Sequence, residues 1–172
     1  MSAQVRPERT ISALVARLRD RGLLHTDAAE SRAETTQEIT SGVQSDSRLM
    51  RPGGIFVAIR GARANGADFA ADAFARGAIA TLAEPAEAEL MLKARGDRAP
   101  LVITVTHARR ALAEAAAWWE GDPSDELIVI GVTGTDGKTT TATYLSTALT
   151  AAGLSAGLIS TALQRVGGAE EP

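Results

Sequence analysis

"LIVIGVTGTDGKTTTATYLSTAL", Leu127 to Leu149, is the stretch on which the fold turns. An apolar, largely β-branched run from Leu127 to Val132 enters a glycine-rich turn, then Lys138, then Thr139, Thr140, Thr141 and Thr143. The run is short and bounded by glycine, which predicts a buried strand. The residues from about Lys138 to Ala152, closed by Gly153, predict a helix. A strand that delivers its carboxyl end into such a turn, followed by a helix, has the geometry of a phosphate cradle. Gly131, Gly134 and Gly137 permit backbone angles that a Cβ forbids, so successive N–H groups can converge on one anion. The amino terminus of the helix adds partial positive charge at the same point. Lys138 can reach β- and γ-phosphates as a mobile charge, and Thr139 can offer its hydroxyl to Mg2+. The general P-loop, G-x-x-x-x-G-K-[ST], would place glycine at 132, where this chain has Val132; the glycine is displaced to Gly131. A purely structural reading stands beside this one, since such turns occur without ligands and threonines can cap helices.

Working outward, Thr10 can cap a helix in which Ile11, Leu14, Val15 and Leu18 share a face and Gly22 ends it. "TDAAESRAETTQEITSGVQSDSR" is polar and predicts a loop, with a short strand near Ile39 to Val43. Ile55 to Ile59 predicts a buried strand, closed by the loop "GARANGADF". "ADFAADAFARG" predicts a short helix with Phe69, Ala73 and Phe74 inward. "AIATLAE" predicts a strand, and "EPAEAELMLKARG" a helix with Pro85 in its first turn. Leu101 to Val105 predicts another strand, and "HARRALAEAAAWWEG" a helix whose apolar face is Leu112, Ala115, Ala116 and Trp119. Gly121-Asp122-Pro123 breaks the chain, and "AGLIS" predicts a last strand after the threonine-rich helix. Strands alternate with helices almost throughout, which argues for α/β architecture with largely parallel sheets. The expected domain joint lies between about Arg95 and Pro100.

Composition narrows the function. The 172 residues are 45% apolar and 23% charged, ordinary for a globular chain. A net charge of −3 argues against nucleic acid as the main partner but leaves room for a local phosphate site. Without cysteine, disulfides, thiolate metal sites and cysteine nucleophiles are excluded. His25 and His107 are read as a surface residue and a helix-start residue. The acidic run Glu84, Glu87 and Glu89 reads as a solvated helix face. The amino terminus has no signal-peptide pattern, and no apolar run is long enough to cross a bilayer, so the expected location is cytoplasmic, without membrane insertion.

"GVTGTDGKTTT" resembles the ATP-binding loop of the Mur ligase family, G-T-x-G-K-T-T or a close variant, which lacks the first Walker glycine in the same way. Asp136 stands where asparagine is more frequent. The earlier segment "SDSRLMRPGGIFVAIRGARANGADFAADAFARGAIATLAE" is similar to the amino-terminal domain of the same family: a D-S-R triplet, P-G, an F-V-A strand, a loop, a helix, then "GA" and a strand. The resemblance implies a small amino-terminal α/β domain over residues 1–98 that binds the UDP part of a UDP-N-acetylmuramoyl-peptide. It implies the start of a P-loop NTPase-like, parallel-sheet central domain over residues 99–172, truncated. ATP would meet Gly134, Thr135, Asp136, Gly137, Lys138, Thr139 and Thr140, with Lys138 catalytic and Thr139 holding Mg2+ through the nucleotide. The UDP-linked substrate would meet Ser45, Ser47, Ala62, Arg63 and Ala64. For Arg63, phosphate pairing and plain exposure stay open side by side, whereas Arg48 is read as stabilising its own turn, and Asn65 and Gly66 as shaping their loop.

Within the family the chain looks most like the tripeptide-synthetase branch (MurE type). The implied chemistry is ATP-dependent addition of a third amino acid to UDP-N-acetylmuramoyl-L-alanyl-D-glutamate through an acyl phosphate. The partners would be that substrate and an amino acid. The chain covers only the first third or so of a family member, so an incomplete, inactive fragment is expected. The branch that adds D-Ala-D-Ala is the near rival, and a non-catalytic UDP-sugar- or ATP-binding module is the alternative of another class. An unrelated P-loop NTPase is disfavoured, because after Lys138 the only acidic residues are Glu170 and Glu171.

Overall fold

The computed structural model describes residues 8–25, 36–95, 101–161, 164–166 and 169–171. It divides into two compact units, Met1–Leu127 and Ile128–Pro172. The first unit opens with α1 (Ile11–Asp20), where the Thr10 hydroxyl accepts a hydrogen bond from the Ala13 amide at 3.2 Å. Ile11, Leu14, Val15 and Leu18 are buried together, the face that their spacing predicts. Four strands, β1 (Val43–Gln44), β2 (Ile55–Ala58), β3 (Ala80–Ala83) and β4 (Leu101–Thr104), form one parallel sheet in the order β1-β2-β3-β4. The helices between and after them are α2 (Ala70–Ala75), α3 (Pro85–Arg95) and α4 (Ala108–Glu120).

Every side chain of β2 and β3 is buried, which is why β2 is an unbroken apolar run and β3 one interrupted by Thr81, without polar alternation. Alternate residues serve two cores. Ile55, Val57, Ala80, Leu82 and Ile103 pack with α1 and α4, while Phe56, Ala58 and Ala83 pack with α2 and α3. The result is a three-layer α/β unit with helices on both faces of a parallel sheet, as the alternation of elements implies.

The expected joint between Arg95 and Pro100 falls on residues 96–100, outside the described residues; β4 pairs with β3 along its whole length, Ala80 to Leu101 through Ala83 to Thr104, and the compact units divide after Leu127. Four expectations change. Near Ile39 the sequence becomes core rather than strand: Ile39 is buried, and the ladder begins only at Val43. Phe69 ends a 3-10 turn, Gly66–Phe69, and stays 46% exposed, so the inward positions of the next helix are Ala70, Ala73 and, half-buried against the same core, Phe74. On α4 the buried stripe is Ala108, Ala111, Ala115 and Trp118, one residue round from the predicted face. Trp119 is drawn aside by Arg9, whose guanidinium lies 4.0 Å from the indole centroid and donates to the Trp119 carbonyl at 2.7 Å.

The fourth change lies in the second unit. The segment Leu127 to Val132 joins no ladder, and Ile128 is 94% exposed. A strand exists through its neighbours, and among the described residues this one has none. The helix α5 (Lys138–Ala151) forms where predicted and ends at Gly153, whose φ is +80°. Strand β5 (Leu158–Ile159) pairs antiparallel with β6 (Gln164–Val166), and β6 with β7 (Ala169–Glu171), so the sheet in this unit is antiparallel rather than parallel.

Candidate functional site

In a parallel sheet the carboxyl ends of all strands share one edge, the edge outside which ligands of open α/β sheets bind. Here the segments leaving that edge are Ser45 to Arg48 after β1, Ile59 to Asn65 after β2, Glu84 after β3, and Val105 to His107 after β4. The Ser45, Ser47 and Ala62-Arg63-Ala64 positions therefore fall on neighbouring loops, although they lie 15 or more residues apart in sequence.

The first of these loops is largely self-satisfied. Asp46 accepts the Arg48 amide at 2.9 Å and is gripped by the Arg48 guanidinium at 2.6 and 2.9 Å. That guanidinium, and then the amide, hold the Asp46 carboxyl well below the usual range, at about 2. Arg48 thus stabilises its own turn. Ser47 is buried, and it is the largest cause of the lowered Asp72 pKa, ahead of Arg76. The serine expected to face a ligand is thus covered, whereas Ser45 remains exposed.

The second loop is a tight, braced turn. Arg60 and Asn65 form an antiparallel bridge, and the Gly61 amide donates to the Ala64 carbonyl at 2.9 Å. The tip Ala62, Arg63 and Ala64 is exposed. Gly66 closes the turn against β2: a Cβ there would lie against the Ile59 amide nitrogen and 2.8 Å from the Ala58 carbonyl carbon, so only glycine fits. Asn65 accepts the Ala67 amide at 3.1 Å, so both residues shape the loop as expected.

The acidic run is not a solvated face. Glu87 is 3% exposed and receives Arg60 Nε at 2.8 Å and Asn65 Nδ2 at 3.4 Å on the same oxygen, Oε1. Glu84 Oε1 accepts the Ala108 amide at 2.9 Å and so caps the start of α4. From that first turn, Arg109 donates to the Arg60 carbonyl at 3.3 Å. Only Glu89 behaves as predicted, pairing on the surface with Lys93. The one sequence signal for Glu87 was its place two residues after a helix-starting proline. His107 begins α4 without capping it, and His25 reaches the sheet through its amide alone, to the Thr104 carbonyl at 3.0 Å. Among the described residues no group of three or more His, Cys, Asp or Glu side chains is placed to hold a metal ion, and no helix is long and apolar enough to cross a membrane.

In the second unit, Gly134 to Lys138 and Thr140 are exposed and Thr139 is half-buried. Gly137 takes φ +76° at the N-cap of α5, a left-handed angle that glycine adopts freely. Among the described residues no side chain makes an N-cap hydrogen bond to this helix. The threonines bond backward instead: Thr143 donates to the Thr139 carbonyl at 2.8 Å and Thr147 to the Thr143 carbonyl at 2.9 Å. Lys138 Nζ curls onto the loop, donating to the carbonyls of Gly134 at 2.6 Å and Thr135 at 2.8 Å. It is thus held on the turn itself. Gly131, by contrast, has no left-handed angle, and a Cβ there would meet nothing within 4 Å, so no steric need for glycine is visible at that position.

The family described as "Mur ligase family, catalytic domain" matches residues 39–119, from just before β1 to the end of α4. The UDP-N-acetylmuramyl-tripeptide synthetase of Deinococcus radiodurans is 47% identical over 139 residues, 80% of this chain and 27% of that protein. The UDP-N-acetylmuramoyl-L-alanyl-D-glutamate–2,6-diaminopimelate ligase of Streptomyces coelicolor is 40% identical over 162 residues, 94% of this chain and 30% of that protein. Among solved structures, the MurF ligase from Thermotoga maritima in complex with ADP is similar with a TM-score of 0.48 and 30% identity, covering 66% of this chain and 24% of that one. The chain spans 23 to 30% of the length of the curated relatives it matches. Residues 39–119 thus match the Mur ligase family, and over 80 to 94% of its length the chain is similar to ligases of that family.

Proposed function

We propose that the chain carries the UDP-substrate unit and the ATP loop of an ATP-dependent ligase of peptidoglycan-precursor synthesis. The reaction is addition of the third amino acid to UDP-N-acetylmuramoyl-L-alanyl-D-glutamate. The observation that carries this reading is Lys138, held on the glycine-rich turn at the uncapped amino terminus of α5, in a chain 47% identical to a tripeptide synthetase. The loop fits a nucleotide's phosphates. Its glycines leave the backbone open, Gly137 takes a left-handed angle at the helix start, and the lysine can exchange its two loop carbonyls for phosphate oxygens. In this assignment Gly134 to Thr140 hold ATP and the Thr139 hydroxyl helps hold Mg2+. ATP supplies the phosphoryl group that activates the substrate's glutamate carboxylate for attack by the incoming amine. The part of Lys138 is to neutralise phosphate charge and fix its direction, the kind of positioning on which phosphoryl transfer depends.

On the first unit, the exposed tip Ala62-Arg63-Ala64 and exposed Ser45 are assigned to the UDP moiety, with Arg63 free to pair a diphosphate at two points. Ser47 is assigned to the same site through the shape it gives the turn. The site belongs in the cytoplasm, where ATP and UDP-sugars are found. The activities for which the relatives are named favour the tripeptide step over D-Ala-D-Ala addition. Because the chain spans a quarter or so of those relatives, amide formation by these 172 residues alone is not expected.

Calorimetric titration with Mg·ATP and, separately, with the UDP-linked dipeptide tests the reading. Lys138→Ala is expected to weaken Mg·ATP binding at least ~10-fold, the worth of one charged contact, while leaving the UDP ligand untouched. Failure of the parent chain to bind either ligand would overturn the assignment. Binding of the UDP ligand alone would leave a UDP-sugar module.

A further inference from the structure

We infer that Glu87 is a positioning residue for the UDP-substrate loop, an inference that rests on the proposed function of that loop. A carboxylate only 3% exposed, with one oxygen shared by two donors, is costly to place unless something depends on it. Both donors stand at the two ends of the same turn. Arg60 precedes it and Asn65 follows it, and their backbones are bridged to each other. Glu87, from the first turn of α3, thus ties the two stems of the loop from below, leaving Ala62, Arg63 and Ala64 exposed at the tip. The same strand-to-helix junction fixes a second neighbour: Glu84 caps α4 at Ala108, and the next residue, Arg109, donates to the Arg60 carbonyl.

Two carboxylates three residues apart therefore set the positions of two arginine-bearing segments, the Arg60–Asn65 loop and the start of α4, at the carboxyl edge of the sheet. Arg60 is 65% exposed although its partner is buried. A guanidinium serving only to neutralise a core charge would be expected to sink beside it. This one keeps most of its surface in solvent beside the tip. The arrangement suits a diphosphate: the tip amides and Arg63 approach the anion, while Glu87 holds the loop in the shape that binding requires and so removes the ordering cost from the binding step.

The test uses the whole chain with uridine 5′-diphosphate as probe, read by calorimetry and by amide hydrogen exchange. Parent protein that fails to bind the probe refutes the UDP assignment itself and with it this role. Where the parent binds, Glu87→Gln is expected to weaken binding about 10-fold and to speed exchange at Ala62 to Ala64, with the circular dichroism of the folded chain retained. Glu87→Asp, which keeps the charge, is expected to recover part of the affinity. Should Glu87→Gln fail to fold, Arg60→Ala decides, since this exposed side chain can be removed without opening the core; a loss of affinity similar to that expected for Glu87→Gln supports the role. Parent-like affinity in a folded Glu87→Gln or Arg60→Ala chain would overturn it, whatever happens to the melting temperature, because a merely structural carboxylate moves stability alone.

Discussion

Thr81 sits at the centre of β3 with no exposed surface, and its hydroxyl has no hydrogen-bond partner within the structure. A buried hydroxyl that loses water without gaining a partner is destabilising, and valine has nearly the same shape. Thr81→Val is expected to raise the unfolding free energy by about 1 kcal/mol, read from urea denaturation at constant slope. Asp46 is the residue whose charge can be followed directly. Its folded pKa of about 2 lies below the ordinary 3.8, so its pairing with Arg48 stabilises the turn above the ordinary value. That contribution is lost as pH falls through about 2. A carboxyl-carbon NMR titration should show this low midpoint, and Arg48→Ala should return it towards the ordinary value. An unchanged midpoint in the variant would mean that the turn's amide alone sets it. Neither residue stood out in the sequence. A threonine in a strand is unremarkable until its neighbours are known, and an Asp-Ser-Arg triplet looks like any polar turn.

At the scale of elements, local chemistry wrote most boundaries. Thr10 caps α1, Pro85 opens α3, and glycines at 22, 77, 121 and 153 take left-handed angles where helices end. The start of α4 was not written locally. His107 stands at its N-cap and makes no capping bond; the acceptor comes from Glu84, 24 residues earlier in sequence. Glu84→Ala is expected to cost about 1 kcal/mol, the usual value of a lost cap, and to loosen the first turn of α4 in amide exchange. An effect confined to α3 would count against the cap. The rotation of the α4 face has a similar origin. Two stripes one residue apart are both apolar in "ARRALAEAAAWWE", and the Arg9–Trp119 contact helps to decide which one turns inward.

On the scale of the whole molecule, the two units differ in how completely they bury themselves. The first carries two cores on opposite faces of its sheet. In the second, one side chain of α5, Ser146, is buried, while Ile128 to Ile130 stand in solvent. An apolar, β-branched run with unpaired backbone is a template for pairing with another chain. Ile128→Lys is therefore expected to lower concentration-dependent association in analytical ultracentrifugation without moving the main thermal transition of the first unit. Equal association of parent and variant would show that this run is not the sticky element.

What the sequence determined by itself was whatever depends on near neighbours. Helix periodicity, caps, left-handed glycines and the order of strand, turn and helix are properties of segments a few residues long. The glycine-rich turn, whose Gly137, Lys138 and helix start are contiguous, belongs to the same class. The tertiary structure decided whatever depends on partners distant in the chain. Leu127 to Val132 has the composition of a strand, yet a strand is completed only by hydrogen bonds to another. Glu87 has the composition of a surface, yet burial and Arg60 made it the base of a loop. Pairing and burial are relations between segments, and no window of sequence contains both members.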